Sequence, residues 1–341
     1  MYWMCLLVVS SGMLGSAGDG AAGGSLVGVA GADSTGVIAA GGAVDLLDLD
    51  LADLAAVARA ARSVEERYGR LDLLVNNAGA AGIYAEWSVN EKVALEVAMA
   101  AAISGLRSLA IMKHVGVNVA HDPLMSASYM GLGGLVLITA DDPGQWSSQN
   151  EQDNRRYAKF ARLPCLESSD SQEAKDFTKR AFEISEEFDT PVMLRTVTRI
   201  SHSKGPVELG ERTVPDRPIA LANDKPKYVM LPVYGRERHK VIEERLLKLK
   251  AFAETFEGNR IEMNDTSVGI ITGGISYQYA KEVFPNASFL KLGMSWPLPE
   301  RMIAEFISKV DTVFIIEELD PFWEDTIRAL GHTIAGGKDT V

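Results

Sequence analysis

The chain has 341 residues, of which 47% are hydrophobic and 23% are charged. This composition is typical of a soluble globular protein with two or three domains. The net charge is −12, and the sequence contains no basic stripe that could neutralise a phosphate backbone. We therefore expect neither a nucleic-acid partner nor an anionic membrane partner. The opening residues MYWMCLLVV carry no positive charge and are too short to span a bilayer, which predicts a cytoplasmic protein.

Cysteine and histidine positions argue against a metal centre. Cys5 and Cys165 lie far apart and form no CxxC pair, so a disulfide framework, an iron–sulfur cluster and a zinc site are not expected. The closest of the five histidines are His114 and His121, and Gly116 lies between them. We predict that this chain binds no metal.

The first 42 residues are dominated by glycine, alanine and serine. Between residues 12 and 42 only Asp19 and Asp33 are charged. Such a segment has little side-chain volume for a core and loses much backbone entropy on folding. We expect residues 1–42 to be poorly specified.

Residues 43–82 have the pattern of one βαβ unit. AVDLLDLD is a short apolar strand, residues 51–68 have helical spacing, and LDLLVNNAG is a buried-strand pattern that ends in a glycine turn. The stretch resembles the middle of a short-chain dehydrogenase, with NNAG closing a strand beside the cofactor. The resemblance implies that an acid such as Asp50 or Asp53 lies near the adenine.

Other features of that dehydrogenase family are misplaced. The glycines of SSGMLGSAGDG have the wrong spacing for backbone amides to approach a pyrophosphate. A YxxxK pair occurs as Tyr277 and Lys281, about two hundred residues beyond NNAG. Tyr277 is better interpreted as a helix residue of another domain. We expect a partial Rossmann-like unit without a working cofactor site, and an NAD(P)-dependent dehydrogenase is kept as an alternative.

From residue 83 the chain alternates between helices and short apolar strands. The pattern predicts a helix that begins near Ser88, strands at 108–112 and 134–140, helices at 151–162 and 171–187, and the strand PVMLRTVT. Polar loops, KHVGVN and DDPGQWSSQNEQD, follow the first two strands. This alternation predicts a mostly parallel sheet covered on both faces, with any site at the carboxyl ends of the strands.

A proline-containing linker at 201–225 precedes a second α/β unit. A long charged helix is predicted at about 236–257. After it come the strand SVGIITGG, a helix at 275–284, the strand SFLKL, a helix at 298–309 and the strand TVFIIEE.

Ser88 and Glu91 have the S-x-x-E spacing of a capping box. On spacing alone, this structural role is the stronger interpretation of Glu91. The surrounding sequence blocks favour a second interpretation, in which Glu91 is catalytic.

The blocks that carry this second interpretation run almost without gaps from Ile83 to Phe322. They are EWSVNEKVALEVA, MKHVGVNVAHDPLM, ADDPGQWSSQNEQDNRRYAKFA, SDSQEAKDFTKRAFE, TPVMLRTVTRISHSKG, GIITGGISYQY, LKLGMSWPLPE and EELDPFWE. In this order they resemble the α-subunit of the indolepyruvate:ferredoxin oxidoreductases, thiamine-diphosphate enzymes of the 2-oxoacid:ferredoxin oxidoreductase superfamily. The resemblance implies an α/β protein with a pyrimidine-binding domain of the thiamine-diphosphate fold at 83–200 and a transketolase C-terminal-like domain at 226–335.

The resemblance also implies functional residues. Glu91 falls where the superfamily keeps the catalytic carboxylate that hydrogen-bonds the aminopyrimidine ring of thiamine diphosphate, a role that burial of the carboxyl suits. His114 and Asn118 are candidate cofactor-binding residues. Loop residues that could face the same cleft, although ordinary solvation also explains their polarity, are Gln149, Asn150, Gln152 and Asp153. For Arg195, Arg199 and His202, a surface or interdomain role is favoured over contact with a substrate carboxylate.

The family normally begins with a YPGTPS-like loop, which nothing in residues 1–82 matches. It continues into a diphosphate-binding domain with a metal loop and then a cysteine-rich ferredoxin-like segment. We therefore expect this chain to hold only the pyrimidine half of thiamine diphosphate and to be inactive alone, while Mg²⁺ and a 4Fe–4S cluster belong to the complete enzyme. The implied reactants are an aryl 2-oxoacid, CoA and ferredoxin, and the implied partners are a β-subunit and a second copy. A non-catalytic chimeric fragment is the remaining alternative.

Overall fold

The computed structural model describes residues 87–210, 220 and 223–336 in full, together with the backbone of six strands nearer the N-terminus. These six strands are β1 (Cys5–Val9), β2 (Ser25–Gly28), β3 (Gly36–Ala40), β4 (Ala43–Leu47), β5 (Leu73–Val75) and β6 (Ile83–Glu86). The helix expected at 51–68 lies outside the described residues.

Four of these strands form a small sheet in the order β4-β3-β2-β5. β2 pairs with β5 in parallel, whereas β3 is antiparallel to both β2 and β4. The two strands of the expected βαβ unit, β4 and β5, therefore lie at opposite edges of the sheet. Strands β1, β2 and β3 come from the segment that we expected to be poorly specified, and each is a short apolar run with enough β-forming residues to pair.

A seven-stranded sheet has the order β14-β9-β10-β8-β7-β1-β6. Its further strands are β7 (Arg107–Lys113), β8 (Leu135–Asp141), β9 (Cys165–Glu167), β10 (Val192–Val197) and β14 (Met294–Trp296). The central strands β7, β8, β10 and β9 are parallel, as the alternation of elements predicted. β14 on one side, and β1 and β6 on the other, pair antiparallel.

Eight helices of the described chain belong to this part of the structure. They are α1 (Glu91–Ile103), α2 (His114–Val119), α3 (His121–Met130), α4 (Asn154–Ala161), α5 (Ser171–Phe188), α6 (Thr198–His202), α7 (Lys225–Tyr228) and α8 (Pro232–Ala253). The stretch KHVGVN, expected as a loop, is mostly helix α2, because a compact turn follows β7 directly. No helix among the described residues is long and apolar enough to cross a membrane.

Helix α8 was expected in the C-terminal domain, but it packs against the seven-stranded sheet. Its residues Leu249 and Ala253 are fully buried in a core with Val136 of β8 and Leu194 of β10. Arg245 of α8 donates to the carbonyl oxygens of Ser128 and Asp189, at 2.6 and 2.8 Å. The apolar stripe of α8 thus covers one face of the seven-stranded sheet.

The C-terminal unit is a four-stranded sheet in the order β11-β13-β12-β15. Its strands are β11 (Arg260–Glu262), β12 (Asp265–Gly273), β13 (Ala287–Leu292) and β15 (Val313–Ile316). Its helices are α9 (Gly274–Val283), α10 (Glu300–Ile307) and α11 (Phe322–Ala329). Leu290, Phe306 and Trp323 form the centre of its core.

Arg155 of α4 joins the two units through a buried ion pair. Its side chain is 1% exposed and contacts the carboxylate of Asp153 at 2.5 Å and that of Glu317 at 2.7 Å. Its guanidinium also donates to the carbonyl oxygen of Glu318 and packs over the ring of Trp323. Arg155 belongs to the unit built on the seven-stranded sheet, here called the first unit. Its charge is therefore neutralised by carboxylates of both units.

Arg195 of β10 forms a second buried group of charges. Its Nε donates to Asp141 at 2.6 Å, and its Nη1 contacts Glu167. Glu167 also accepts a hydrogen bond of 2.7 Å from Ser295 of β14. The carboxyl ends of β8, β9 and β10 are thus held together, and the C-terminal unit is attached to them through β14.

Replacing Arg195 tests the strength of this network. The Arg195→Met substitution leaves Asp141 and Glu167 buried without their shared cation, so we expect the free energy of unfolding to fall by about 3–5 kcal/mol. Urea-induced unfolding measures this change. The control is Arg156→Met, because Arg156 and its partner Asp320 are 50% and 47% exposed; a loss below about 1 kcal/mol is expected there. Equal losses in the two variants would contradict the network's importance.

Candidate functional site

Helix α1 begins at Glu91, and its cap is Asn90. The Oδ1 atom of Asn90 accepts a hydrogen bond of 2.9 Å from the backbone N–H of Val93. The capping box predicted from Ser88 and Glu91 is therefore wrong, because Ser88 lies two residues before the N-cap position and Asn90 already satisfies the free N–H group of Val93. The carboxylate of Glu91 therefore does not cap the helix.

Glu91 is a buried carboxylate that lies across Gly116 of α2. Its residue is 9% exposed, and it accepts no side-chain hydrogen bond from another described residue. A methyl group on Gly116 would lie 2.6 Å from the Cγ atom and 2.9 Å from the Oε1 atom of Glu91. Because Gly116 has no side chain, the side chain of Glu91 can lie against it. The N-terminus of α1 favours the negative charge of Glu91.

His114 anchors the loop that follows β8. Its ring is fully buried, with Nε2 2.9 Å from the carbonyl oxygen of Asn150 and Nδ1 3.3 Å from that of Ala140. His114 lies two residues before Gly116, so the same short helix holds both the loop and the contact with Glu91. The structure therefore gives this predicted residue contacts that support the loop after β8.

The remaining predicted cofactor residue, Asn118, is exposed on α2 and accepts a hydrogen bond from the hydroxyl group of Tyr157. Gln149 is exposed in the loop between β8 and α4. Asn118 is two residues from Gly116, which keeps it near the start of α1. Their roles in binding stay predictions.

Three other loop residues differ in their surroundings. Asn150 and Gln152 each have a buried side-chain oxygen without a hydrogen bond, and unsatisfied groups of this kind are available to a ligand. Asp153, in contrast, caps α4 and pairs with Arg155. Its contacts are those of an interior ion pair, which differs from the cleft role expected for it.

The two arginines and the histidine predicted in and after β10 have different surroundings in the structure. Arg195 is fully buried, and its ion-pair partners Asp141 and Glu167 belong to the same unit, which differs from the surface or interdomain role that the sequence favoured. Arg199 and His202 are exposed on α6. Sequence reasoning missed Asn90 and Gly116, although an asparagine directly before a helix is a recognisable N-cap signal; nothing in the sequence indicates the contact of Gly116.

The YxxxK pair lies on α9 of the C-terminal unit. Tyr277 donates to Glu262 at 2.7 Å, and Lys281 contacts the same carboxylate at 2.7 Å. Burial raises the pKa of Tyr277, which disfavours an ionised catalytic phenol. The interpretation of Tyr277 as a helix residue of another domain is confirmed.

Glu262 provides a pH-dependent test of this structural role. Burial acts to raise its pKa, but hydrogen bonds from Lys281, Tyr277 and Arg260 prevail and lower the pKa from 4.5 to about 2. The stabilisation is therefore present above pH 4.5 and is lost as the pH falls through about 2. Because the group is partly exposed, we expect Glu262→Gln to cost about 1 kcal/mol at neutral pH and nothing at the acid limit.

Urea unfolding at a series of pH values measures this difference. The matched control is Glu282→Gln on the exposed side of α9, for which a change below about 0.5 kcal/mol is expected at neutral pH. A Glu262→Gln effect that stayed constant down to the acid limit would show that charge is not what Glu262 contributes.

Within the fully described ranges, no group of three or more histidine, cysteine, aspartate or glutamate side chains could hold a metal ion. Cys165 is buried and free, and burial raises the pKa of its thiol. An inert thiol of this kind is a core residue of β9.

The fold is that of a 2-oxoacid:ferredoxin oxidoreductase. A structure of 2-oxoglutarate:ferredoxin oxidoreductase from Magnetococcus marinus, with 2-oxoglutarate, coenzyme A and succinyl-CoA bound, superimposes with a TM-score of 0.53 and 14% identity. The match covers 83% of this chain and 56% of that chain. It confirms the α/β fold class.

Closer similarity is found to indolepyruvate oxidoreductase subunit IorA. The chain is 46% identical to the Archaeoglobus fulgidus protein over 268 residues, which cover 76% of this chain and 43% of the relative. It is 45% identical to the Pyrococcus horikoshii protein over 269 residues, with 75% and 42% covered. The resemblance to indolepyruvate oxidoreductases that the sequence blocks predicted is thereby confirmed. The chain spans less than half the length of the curated relatives that it matches.

The family model described as short chain dehydrogenase matches residues 31–112. The similarity expected for residues 43–82 is thereby confirmed, and it extends further in both directions. It ends within β7, so it overlaps the start of the segment that resembles the oxidoreductase.

The contact between Gly116 and Glu91 can be tested with alanine. Ala at 116 would collide with Glu91, so we expect Gly116→Ala to lower the free energy of unfolding by about 1–3 kcal/mol. Gly235→Ala on α8 is the control, because nothing lies within 4 Å of a methyl group there; a gain of up to about 1 kcal/mol is expected. Replacing Glu91 by Ala as well should recover most of the loss, and a double variant as unstable as Gly116→Ala would contradict the contact.

Proposed function

We propose that this chain forms the pyrimidine-binding half of a thiamine-diphosphate site in an oxidoreductase of the indolepyruvate type. The observation that supports this most directly is Glu91, a buried carboxylate without a described hydrogen-bond partner at the start of α1. A buried carboxylate is costly unless something pairs with it. The similarity to IorA proteins supports the choice of an aminopyrimidine as that partner.

The residues around Glu91 fit a flat ring with hydrogen-bond donors. Glu91 would share a proton with a ring nitrogen, while Gly116 leaves space where a side chain would otherwise fill the approach. His114 would hold the loop after β8 in place, and Asn150 and Gln152 of that loop have unsatisfied oxygens for a ligand amino group. When bound, thiamine diphosphate supplies a nucleophilic carbon that attacks the keto carbon of a 2-oxoacid.

Glu91 has a defined part in such chemistry. Its carboxylate would hold a proton at the pyrimidine nitrogen and so favour the tautomer in which the ring can act as a base. Burial excludes water from this proton, and the start of α1 keeps the carboxylate oriented. The same position would be ineffective if the carboxylate were capping the helix, a task that Asn90 performs.

For the complete enzyme we infer oxidative decarboxylation of aryl 2-oxoacids to acyl-CoA, with ferredoxin as the electron acceptor. Mg²⁺, the diphosphate-binding region and a 4Fe–4S cluster would come from parts beyond the residues described, in company with a β-subunit and a second copy of this chain. On this proposal the isolated chain is inactive. The assembled enzyme acts in the cytoplasm.

A short-chain dehydrogenase is the second candidate, because the family model matches residues 31–112. The Tyr277 and Lys281 pair does not support it, since both side chains bind Glu262 in the C-terminal unit. Saturable binding of NADH by the chain would favour the dehydrogenase, and its absence would favour the thiamine-dependent function.

The proposal is tested by Glu91→Gln in a reconstituted site. The chain is combined with the diphosphate-binding region of the Archaeoglobus fulgidus relative, and exchange of the thiazolium C2 proton of thiamine diphosphate is followed by NMR. Glutamine cannot share a proton in the same way, so we expect exchange to slow by roughly 10² to 10⁴. Glu187→Gln, an exposed change on α5, serves as the control. Equal exchange rates in wild type and Glu91→Gln would refute a catalytic role.

A further inference from the structure

A cavity lies where loops of the seven-stranded sheet meet the C-terminal unit, and Glu91 is not among its lining residues. Its volume is about 330 Å³, at the small end of the range of about 300–1,000 Å³ typical of ligand pockets. Segments that follow β8, β10 and β15 form its walls together with α9. The lining residues are Pro143, Trp146, Thr198, Arg199, Tyr279 and Glu318.

Two lining residues of opposite charge are unpaired. Neither the guanidinium of Arg199 nor the carboxylate of Glu318 forms a hydrogen bond or ion pair with another side chain or backbone group among the described residues. Glu318 follows Glu317, which does pair with Arg155. Burial raises the pKa of Glu318, although the charges of Arg195 and Arg155 act to lower it. The neighbouring interface charges, by contrast, are neutralised within the protein.

Two aromatic side chains extend the cavity into solvent. Trp146 is 74% exposed and Tyr279 is 46% exposed. Trp146 belongs to the loop after β8, and Tyr279 lies on α9 of the other unit. Flat aromatic surfaces gain free energy when a planar apolar group covers them, and here they adjoin a cation and an anion.

We propose that this cavity binds an aromatic α-amino acid in its zwitterionic form. The ligand carboxylate pairs with Arg199, its ammonium group pairs with Glu318, and its ring packs against Trp146 and Tyr279. The volume suits one amino acid better than a nucleotide. Glu91 is not among the lining residues. Resting on the proposed function, the site would report on the supply of aryl 2-oxoacid, because transfer of the amino group to a second 2-oxoacid converts the aromatic amino acid into the aryl 2-oxoacid.

Calorimetric titration of the full chain with L-phenylalanine tests the proposal. Two matched compounds dissect it, because 3-phenylpropionate lacks the ammonium group and 2-phenylethylamine lacks the carboxylate. We expect saturable binding of L-phenylalanine and at least about tenfold weaker binding of either analogue, since each loses one charge-assisted contact. Equal affinity for 3-phenylpropionate would overturn the zwitterionic assignment, and no saturable binding at millimolar concentrations would overturn the site.

Variants of the chain locate the binding. Arg199→Gln and Glu318→Gln should each weaken L-phenylalanine binding by at least about tenfold. The matched controls Arg236→Gln and Glu187→Gln remove exposed charges elsewhere and should leave the affinity unchanged. Thermal unfolding followed by circular dichroism shows whether each variant is folded, and Trp146→Leu, at an exposed position, gives a further folded variant with weakened binding. Full affinity in the Arg199 and Trp146 variants would overturn the proposal.

The Glu91→Gln variant separates this inference from the proposed function. It should bind L-phenylalanine as the wild type does, because Glu91 is not part of the cavity lining. Loss of binding in this variant would overturn the independence of the two sites. Failure of the proton-exchange experiment with retained L-phenylalanine binding would instead count against the thiamine site alone.

Discussion

Two buried arginines organise the boundary between the two α/β units: Arg155 pairs with a carboxylate of each unit, and Arg195 ties together strand ends of the seven-stranded sheet. Arg155 and Arg195 are almost fully buried, and their carboxylate partners come from α4, from strand ends of the first sheet and from the segment after β15. Removing either cation would leave negative charges in a medium that solvates them poorly. The arrangement places the carboxyl ends of β8, β9 and β10 beside the segment that follows β15.

Charges at this boundary are of two kinds. The arginines and the carboxylates that they neutralise are structural, since each has its partner within the protein. Glu91, Arg199 and Glu318 have no hydrogen-bond or ion-pair partner for their charged groups among the described residues. Glu91 is buried and Glu318 is half-buried, whereas Arg199 is exposed. A protein interior rarely keeps an unpaired charge without a use for it. The contrast is the physical basis for assigning a cofactor to the Glu91 region and a second small ligand to the interdomain cavity.

Residues 31–112 are similar to a different family from the rest, yet backbone from the N-terminal part pairs with the oxidoreductase-like part. β1 lies between β6 and β7 and pairs antiparallel with both. Similarity to short-chain dehydrogenases extends through β6 into β7, where the oxidoreductase-like segment has already begun.

The sequence by itself determined the local elements and the family resemblance. The apolar runs of β7, β8 and β10 and the helical spacing of α5 are properties of neighbouring residues, and so were predictable. Only the tertiary structure decided that α8 covers the first sheet, that Asn90 caps α1, and that Glu91 lies against Gly116. It also paired Arg155 with Glu317, 162 positions away. Such pairings depend on how separate elements pack, because contacts between distant residues leave no periodic trace in the chain.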